Sequence, residues 1–206
     1  MRPRIPDFLL AVTAALAAPA AAQTVEITPV AGYRFGGSFA LVEEEGALEV
    51  KESAAWGVSL SFKVAEDGEL EALFARQDSR LAAEGLFTSA PRFDLAVETW
   101  QLGGNYLFRE DGDAARPYIG VGLGVTRLVP EPAGLETETR FSASFAAGLK
   151  VYLGRHFGLR FEARGFFTVL ESDSTVFCDS LTGCRVRTEG SELSQGEVRG
   201  GLIFRF

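Results

Sequence analysis

The end of the chain alternates without a break. Val198, Gly200, Leu202, Phe204 and Phe206 fall on one parity, and Glu197, Arg199, Gly201, Ile203 and Arg205 on the other. Successive side chains of a strand point to opposite faces, so the segment has one apolar face and one charged or small face. Two kinds of β-structure accept such a strand. A transmembrane barrel turns the apolar face to lipid and the polar face to its lumen, whereas a soluble sandwich or carrier barrel turns the apolar face inward. Period alone leaves both open.

The other end of the chain bears on that choice. Residues 1–22 carry Arg2 and Arg4, an apolar run from Phe8 to Ala18, and Ala20, Ala21 and Ala22 before Gln23. This is the pattern of a cleaved signal peptide. The run is shorter than the roughly 20 residues that a helix needs to cross a bilayer. The expected organisation is therefore a leader over 1–22 and one barrel domain over 23–206. Removing Arg2, Arg4 and Asp7 with the leader takes the 20 basic and 28 acidic residues to 18 and 27, a net charge of −9. So acidic a chain is a poor partner for nucleic acid.

Eight segments alternate with period two, at about 24–38, 53–64, 69–79, 93–109, 117–129, 139–153, 157–170 and 193–206. The connections at 65–68, 110–116 and 154–156 are short, and those at 39–52, 80–92, 130–138 and 171–192 are longer. Short periplasmic turns and long outer loops are the habit of outer-membrane barrels, which puts both termini on the periplasmic side. Over 157–170 the odd positions read Phe157, Leu159, Phe161, Ala163, Gly165, Phe167 and Val169, against Arg160, Glu162, Arg164 and Thr168. Phe62, Tyr106, Phe108, Phe157 and Phe206 fall at one expected height; Tyr33, Phe35, Trp56, Phe141 and Phe167 fall near the other. Two aromatic belts are what a bilayer selects. In the fourth segment Leu95 and Val97 share a parity that Trp100, Leu102 and Tyr106 do not, and a β-bulge near Glu98 and Thr99 would restore the register. The expected fold is all-β: an eight-stranded, antiparallel, up-and-down transmembrane barrel in the outer membrane of a Gram-negative envelope.

Three stretches resemble a known group. Residues 25–37 (VEITPVAGYRFGG), 117–125 (PYIGVGLGV) and 200–206 (GGLIFRF) look like parts of the small outer-membrane β-barrel family that includes the OmpA-like and OmpW-like proteins. The likeness runs over 24–206 and specifies architecture rather than activity. It implies that Phe206, a terminal aromatic, is the signal read by the barrel-assembly machinery. With the chain stopping at Phe206, the peptidoglycan-binding domain that follows the barrel in some members of that family is expected to be missing.

Inward parity collects Glu26, Arg34, Lys63, Glu71, Lys150, Arg160, Glu162, Arg164, Glu197 and Arg199. Eight strands enclose a space only wide enough for side chains, so these charges are expected to pair as a lumen plug; a polar conduction path is the alternative. Closure of the last strand on the first would bring the charges of those strands together with Arg160, Glu162 and Arg164. Cys178 and Cys184, the two cysteines, stand in the longest outer loop, and in an oxidising periplasm a disulfide is expected there. Two thiolates without a nearby histidine make a poor zinc set, so no metal or other cofactor is expected.

Hydrolytic barrels need a serine activated by a histidine. The single histidine, His156, falls in the short turn Gly154-Arg155-His156 beside no serine, so no enzyme is expected. Gly120, Gly122 and Gly124 lack the spacing and following helix of a phosphate loop; they read as lumen-lining positions of a strand. Glu43, Glu44, Glu45, Glu49 and Glu52, opposed by Lys51, make the first outer loop acidic. Solvation explains them, with divalent-cation bridging to lipopolysaccharide as the alternative. The functional expectation is a monomeric, non-enzymatic protein with a structural or surface-interaction role, such as adhesion or envelope stabilisation, touching membrane lipid, lipopolysaccharide and an extracellular ligand of the outer loops. Its rival is a narrow porin-like or OmpW-like channel for small or hydrophobic solutes. A secreted, inside-apolar carrier is a third class.

Overall fold

The structure, a computed structural model, describes residues 24–40, 47–84, 93–108, 113–131, 137–169, 175–179, 183–187 and 192–206. The leader expected over 1–22 lies outside them. The described residues hold twelve strands, in chain order β1 (Val25–Phe35), β2 (Ser38–Ala40), β3 (Ala47–Val50), β4 (Ser53–Lys63), β5 (Gly68–Glu84), β6 (Phe93–Leu107), β7 (Ala115–Pro130), β8 (Glu138–Tyr152), β9 (Phe157–Val169), β10 (Thr175–Asp179), β11 (Gly183–Arg187) and β12 (Glu192–Arg205). Eight of them form a closed antiparallel barrel in the order β1-β4-β5-β6-β7-β8-β9-β12, with β12 returning to β1. Closure matters physically, because an open strand edge in hydrocarbon would leave backbone groups without partners.

The closing seam pairs Glu26 with Arg205 and Phe35 with Gly196, and is interrupted at Thr28 and Pro29. Proline has no N–H to donate there. At the far end of β1 the chain bends through Gly36 and Gly37, whose φ angles of 77° and 107° favour glycine. That bend starts the short β2, which pairs with β3, and β3 in turn pairs with the outer end of β5, Ala47 with Glu84 through Val50 with Leu81. The sequence expectation of loop at 39–52 is corrected here: part of that segment extends the wall. The expected loop at 171–192 likewise holds the hairpin β10–β11.

The two faces of the wall are unambiguous. Trp56 and Phe161, both 53% exposed, lie on the outer face with Phe141, Phe145, Val198 and Leu202, while Arg160, at 1%, and Lys150, at 0%, are enclosed. Apolar outside and charged inside excludes the inside-apolar carrier, since an outer face of this kind is stable against lipid and not against water. Aromatic side chains meet along that face, with Phe74 and Trp100 4.4 Å apart and Phe157 and Phe204 5.8 Å apart between ring centroids.

One detail of the sequence reading is wrong. The β5–β6 register runs from Leu81 and Phe93 to Gly68 and Tyr106 with no residue inserted, so there is no bulge at Glu98 and Thr99. Leu95 and Val97 keep their parity and point into the barrel, where both are buried together with Leu128 and Leu193. The lumen carries its charges over the lower and middle parts and gains an apolar cluster at its outer end. Hydropathy changed sign along the strand while the geometry did not.

Candidate functional site

The charges on the inward faces are the chemistry-bearing feature of this molecule, and strand pairing brings them together in three layers. Nearest the short turns, Lys150 on β8 extends its Nζ to Glu26 Oε2 at 2.7 Å and Glu69 Oε2 at 2.5 Å. Tyr152 donates its hydroxyl to Glu26 Oε1 at 2.9 Å, and the Arg205 guanidinium lies over the Tyr152 ring. Arg116 closes this end by donating to the Glu66 carbonyl at 2.6 Å. Lys63 is half-buried at the same end of β4.

The middle layer is built on two carboxylates. Glu71 on β5 accepts from Arg160 Nη2 and Arg164 Nη2, each at 2.5 Å, and from Asn105 Nδ2 at 3.0 Å. Glu162 on β9 accepts from Arg164 Nε at 2.7 Å, from Arg160 and from the Tyr118 hydroxyl. Arg160 also donates to Tyr118 Oη at 2.7 Å and Ser59 Oγ at 2.9 Å. Tyr118 reaches across because its register partner on β8 is Gly148, where a side-chain carbon would collide with the phenol oxygen. Carboxylates and guanidinium groups held this way are fully enclosed and richly hydrogen-bonded, the condition under which buried ions are tolerated. Arg164 continues the chain through Ser144 Oγ at 3.0 Å to Gln101 and Ser142.

The upper layer is sparser. Arg34 Nε meets Glu197 Oε2 at 2.7 Å, and Arg199 Nη1 stands 3.6 Å from Glu197 Oε1. Arg199 Nη2 approaches Glu162 Oε1 at 2.5 Å without the alignment of a hydrogen bond. Phe166 covers the Arg34 guanidinium, 4.3 Å from its ring centroid. Gln195 and Gln77, joined at 3.1 Å, lie beyond it toward the apolar outer end.

Of the ten charges picked by parity, nine are buried in these layers and Lys63 is at their rim. Glu69 and Arg116 were missed because both sit at strand ends. Glu69 opens the expected strand at 69–79 on the same parity as Glu71, and Arg116 lies one residue before the expected strand at 117–129, so the parity rule carried to both ends finds them. Tyr118, an apolar-looking residue amid glycines, carried no signal of its own.

The remaining candidates are more scattered. Cys178 and Cys184 are register partners across the β10–β11 hairpin. His156 is exposed in its turn, its Nδ1 3.1 Å from the Arg205 carbonyl oxygen. Gly120, Gly122 and Gly124 lie on the inward parity of β7. Glu43, Glu44 and Glu45 fall outside the described residues, Glu49 falls in β3, and Glu52 is exposed. Phe206 is 74% exposed at the seam, where its N–H donates to the Val25 carbonyl at 2.9 Å. Among the described residues no group of histidine, cysteine and carboxylate side chains is arranged to hold a metal ion.

Comparison with known proteins places this architecture. The family model described as outer membrane protein beta-barrel domain matches residues 8–206. Among solved structures, the outer membrane protein OprG from Pseudomonas aeruginosa is similar with a TM-score of 0.66 at 12% identity, over 90% of this chain and 96% of that one. Neisserial surface protein A is similar with a TM-score of 0.58 at 13% identity, over 89% and 97%. The N-terminal β-barrel domain of Pseudomonas aeruginosa OprF gives 0.51 at 19% identity, again over 89% and 97%. At such identities the likeness is one of fold. No curated protein matches the sequence.

Proposed function

This chain belongs to the outer membrane protein β-barrel domain family, and from that premise we propose that it is a non-enzymatic structural and surface-interaction protein, its barrel a plugged anchor that presents loops outside the cell. It resides in the outer membrane, its wall in the lipid bilayer. The observation that carries the proposal is the middle layer of the lumen. Glu71 and Glu162 lock Arg160 and Arg164 across the bore from β5 to β9, and each of these side chains is enclosed. Passage of a solute would require several charge-assisted hydrogen bonds to break at once, in a space where the freed ions find no water.

The interacting parts are then the ends. The outer loops are the surface for an extracellular ligand, and a Cys178–Cys184 disulfide, favoured by their register and by an oxidising compartment, stiffens the β10–β11 hairpin among them. Lipopolysaccharide is the neighbour of the outer rim. At the other end the exposed Phe206 is the mark read by the barrel-assembly machinery, as the family resemblance implies. The protein works as a monomer, exported through a cleaved leader at 1–22.

Planar-bilayer recording tests the central point. The plugged anchor gives a silent membrane after insertion of the purified protein. Discrete single-channel steps from the wild type would replace this proposal with that of a narrow conduit.

A further inference from the structure

The middle and upper lumen hold one more cation than carboxylates. Arg34, Arg160, Arg164 and Arg199 share Glu71, Glu162 and Glu197. The surplus is not spread evenly. Arg160 and Arg164 each meet both Glu71 and Glu162, whereas Arg34 makes a single bond to Glu197. Among the described residues, Nη1 and Nη2 of Arg34, all three guanidinium nitrogens of Arg199 and the hydroxyl of Ser53 are buried without a hydrogen-bond partner. Ser53 is the register partner of Arg34. No buried carboxylate oxygen among the described residues is in the same position.

Two of these side chains meet at one carboxylate. Arg34 and Arg199 approach the same carboxylate, Glu197, from β1 and β12, with Arg34 0% and Arg199 5% exposed. The adjoining inward positions on β1, β4 and β5 carry small residues: Gly32, Ala55, Gly57 and Ala75. A guanidinium presents its N–H groups in a rigid fork and cannot lose its charge by deprotonation. A buried surplus cation with idle donors therefore calls for an anionic acceptor rather than a change of protonation state.

We propose that the upper lumen binds one small monovalent anion of halide size, held between Arg34 and Arg199 with the Ser53 hydroxyl as a further donor. Its charge balances the four guanidinium groups against the three carboxylates. The enclosure and the bulk of Phe166 on one side restrict it to a small ion. The site is independent of whether the lumen conducts.

The test uses the full chain in detergent, with thermal unfolding followed by the mobility difference between folded and unfolded protein. Sodium chloride is compared with sodium gluconate, whose anion is too large to enter, at equal ionic strength. The wild type should show a midpoint that rises by several degrees with chloride and saturates. Arg34→Met, which removes the surplus cation, should lose that rise. Glu197→Gln, which adds to the surplus, should steepen it. Opposite responses of two neighbouring substitutions are not produced by general salt effects. Crystals of the wild type grown in bromide should show an anomalous peak between Arg34 and Arg199, a readout that needs no variant to fold. Equal midpoints in the two salts together with no bromide peak at this position would overturn the proposal and assign the idle donors to water alone.

Discussion

The two ends of the lumen solve the same problem differently. Near the short turns one ammonium, Lys150, sits between two carboxylates, Glu26 and Glu69, and Tyr152 and Arg205 attend the first of them. Toward the outside, Arg34 and Arg199 share Glu197, leave donors idle, and give way to an apolar closure that includes Leu95, Val97, Leu128 and Leu193. The lower end is tied by matched charges, the upper end by burial. What this teaches is that a charged lumen is not one network with uniform strength. The cost of removing a charge depends on whether its partners have another claim on them.

The largest effects should come where one enclosed side chain holds several oppositely charged or hydrogen-bonding partners at once. Glu162→Ala withdraws the acceptor of Arg160, Arg164 and Tyr118 and the near neighbour of Arg199, so it should destabilise the barrel by about 3–5 kcal/mol, the scale for breaking a buried ion pair from one side. Urea unfolding into and out of lipid vesicles measures it. Lys150→Met should cost a similar amount, about 3–5 kcal/mol, because Glu26 and Glu69 then face each other without their shared cation. A loss below about 1 kcal/mol for Lys150→Met would break the contrast between the two ends, since it would mean that water replaces the lysine at the lower mouth.

Much of this was legible because a barrel strand has the shortest repeat a chain can carry. The seven residues Phe157 to Ala163 already separate Phe157, Leu159 and Phe161 from Arg160 and Glu162, and those two sets are the outer and inner faces. The same rule set all eight barrel strands within a few residues of their observed positions, apart from the outer end of β5, which runs on to Glu84. It failed at Leu95 and Val97 for a physical reason. Parity reports which residues share a face, but the nature of that face was inferred from polarity, and the outer lumen is apolar. Which arginines would meet Glu71 was not legible either, because that pairing crosses the bore from β5 to β9 and depends on side-chain reach, whereas Arg34 and Glu197, and Arg199 and Glu162, are register partners on neighbouring strands. Tyr118 illustrates the limit: its role needs Gly148 opposite and Glu162 on a third strand.

A change on the other side of the wall separates the lumen's contribution from that of the bilayer. Phe161→Arg places a guanidinium on the lipid face next to Arg160, which points into the lumen. About 2–4 kcal/mol of destabilisation is expected if position 161 lies near the membrane midplane, falling toward the interfaces. Measured in the same vesicles, this value sets the scale of an unpartnered charge in lipid against which the lumen substitutions are read. A harmless Phe161→Arg beside a destabilising hydrophobic replacement of Val58 or Leu102 would contradict the assignment of the outer face.

Arg34→Met carries the smallest expected effect and the sharpest comparison. Like Lys150, Arg34 is wholly buried, and a count of charges alone would rank the two substitutions equally. Their partners differ. Loss of Arg34 leaves Glu197 with Arg199 nearby, removes two nitrogens that bond nothing, and brings guanidinium groups and carboxylates in the middle and upper lumen to equal number. A hydrophobic side chain of similar length keeps the packing against Phe166. The change should therefore lie within about 1 kcal/mol of the wild type in chloride-free medium, where replacing an imperfectly satisfied buried ion is close to neutral. A cost as large as that of Lys150→Met would show that Arg34 is held by more than its one bond to Glu197, and the two ends of the lumen would then be alike in strength despite their different geometry.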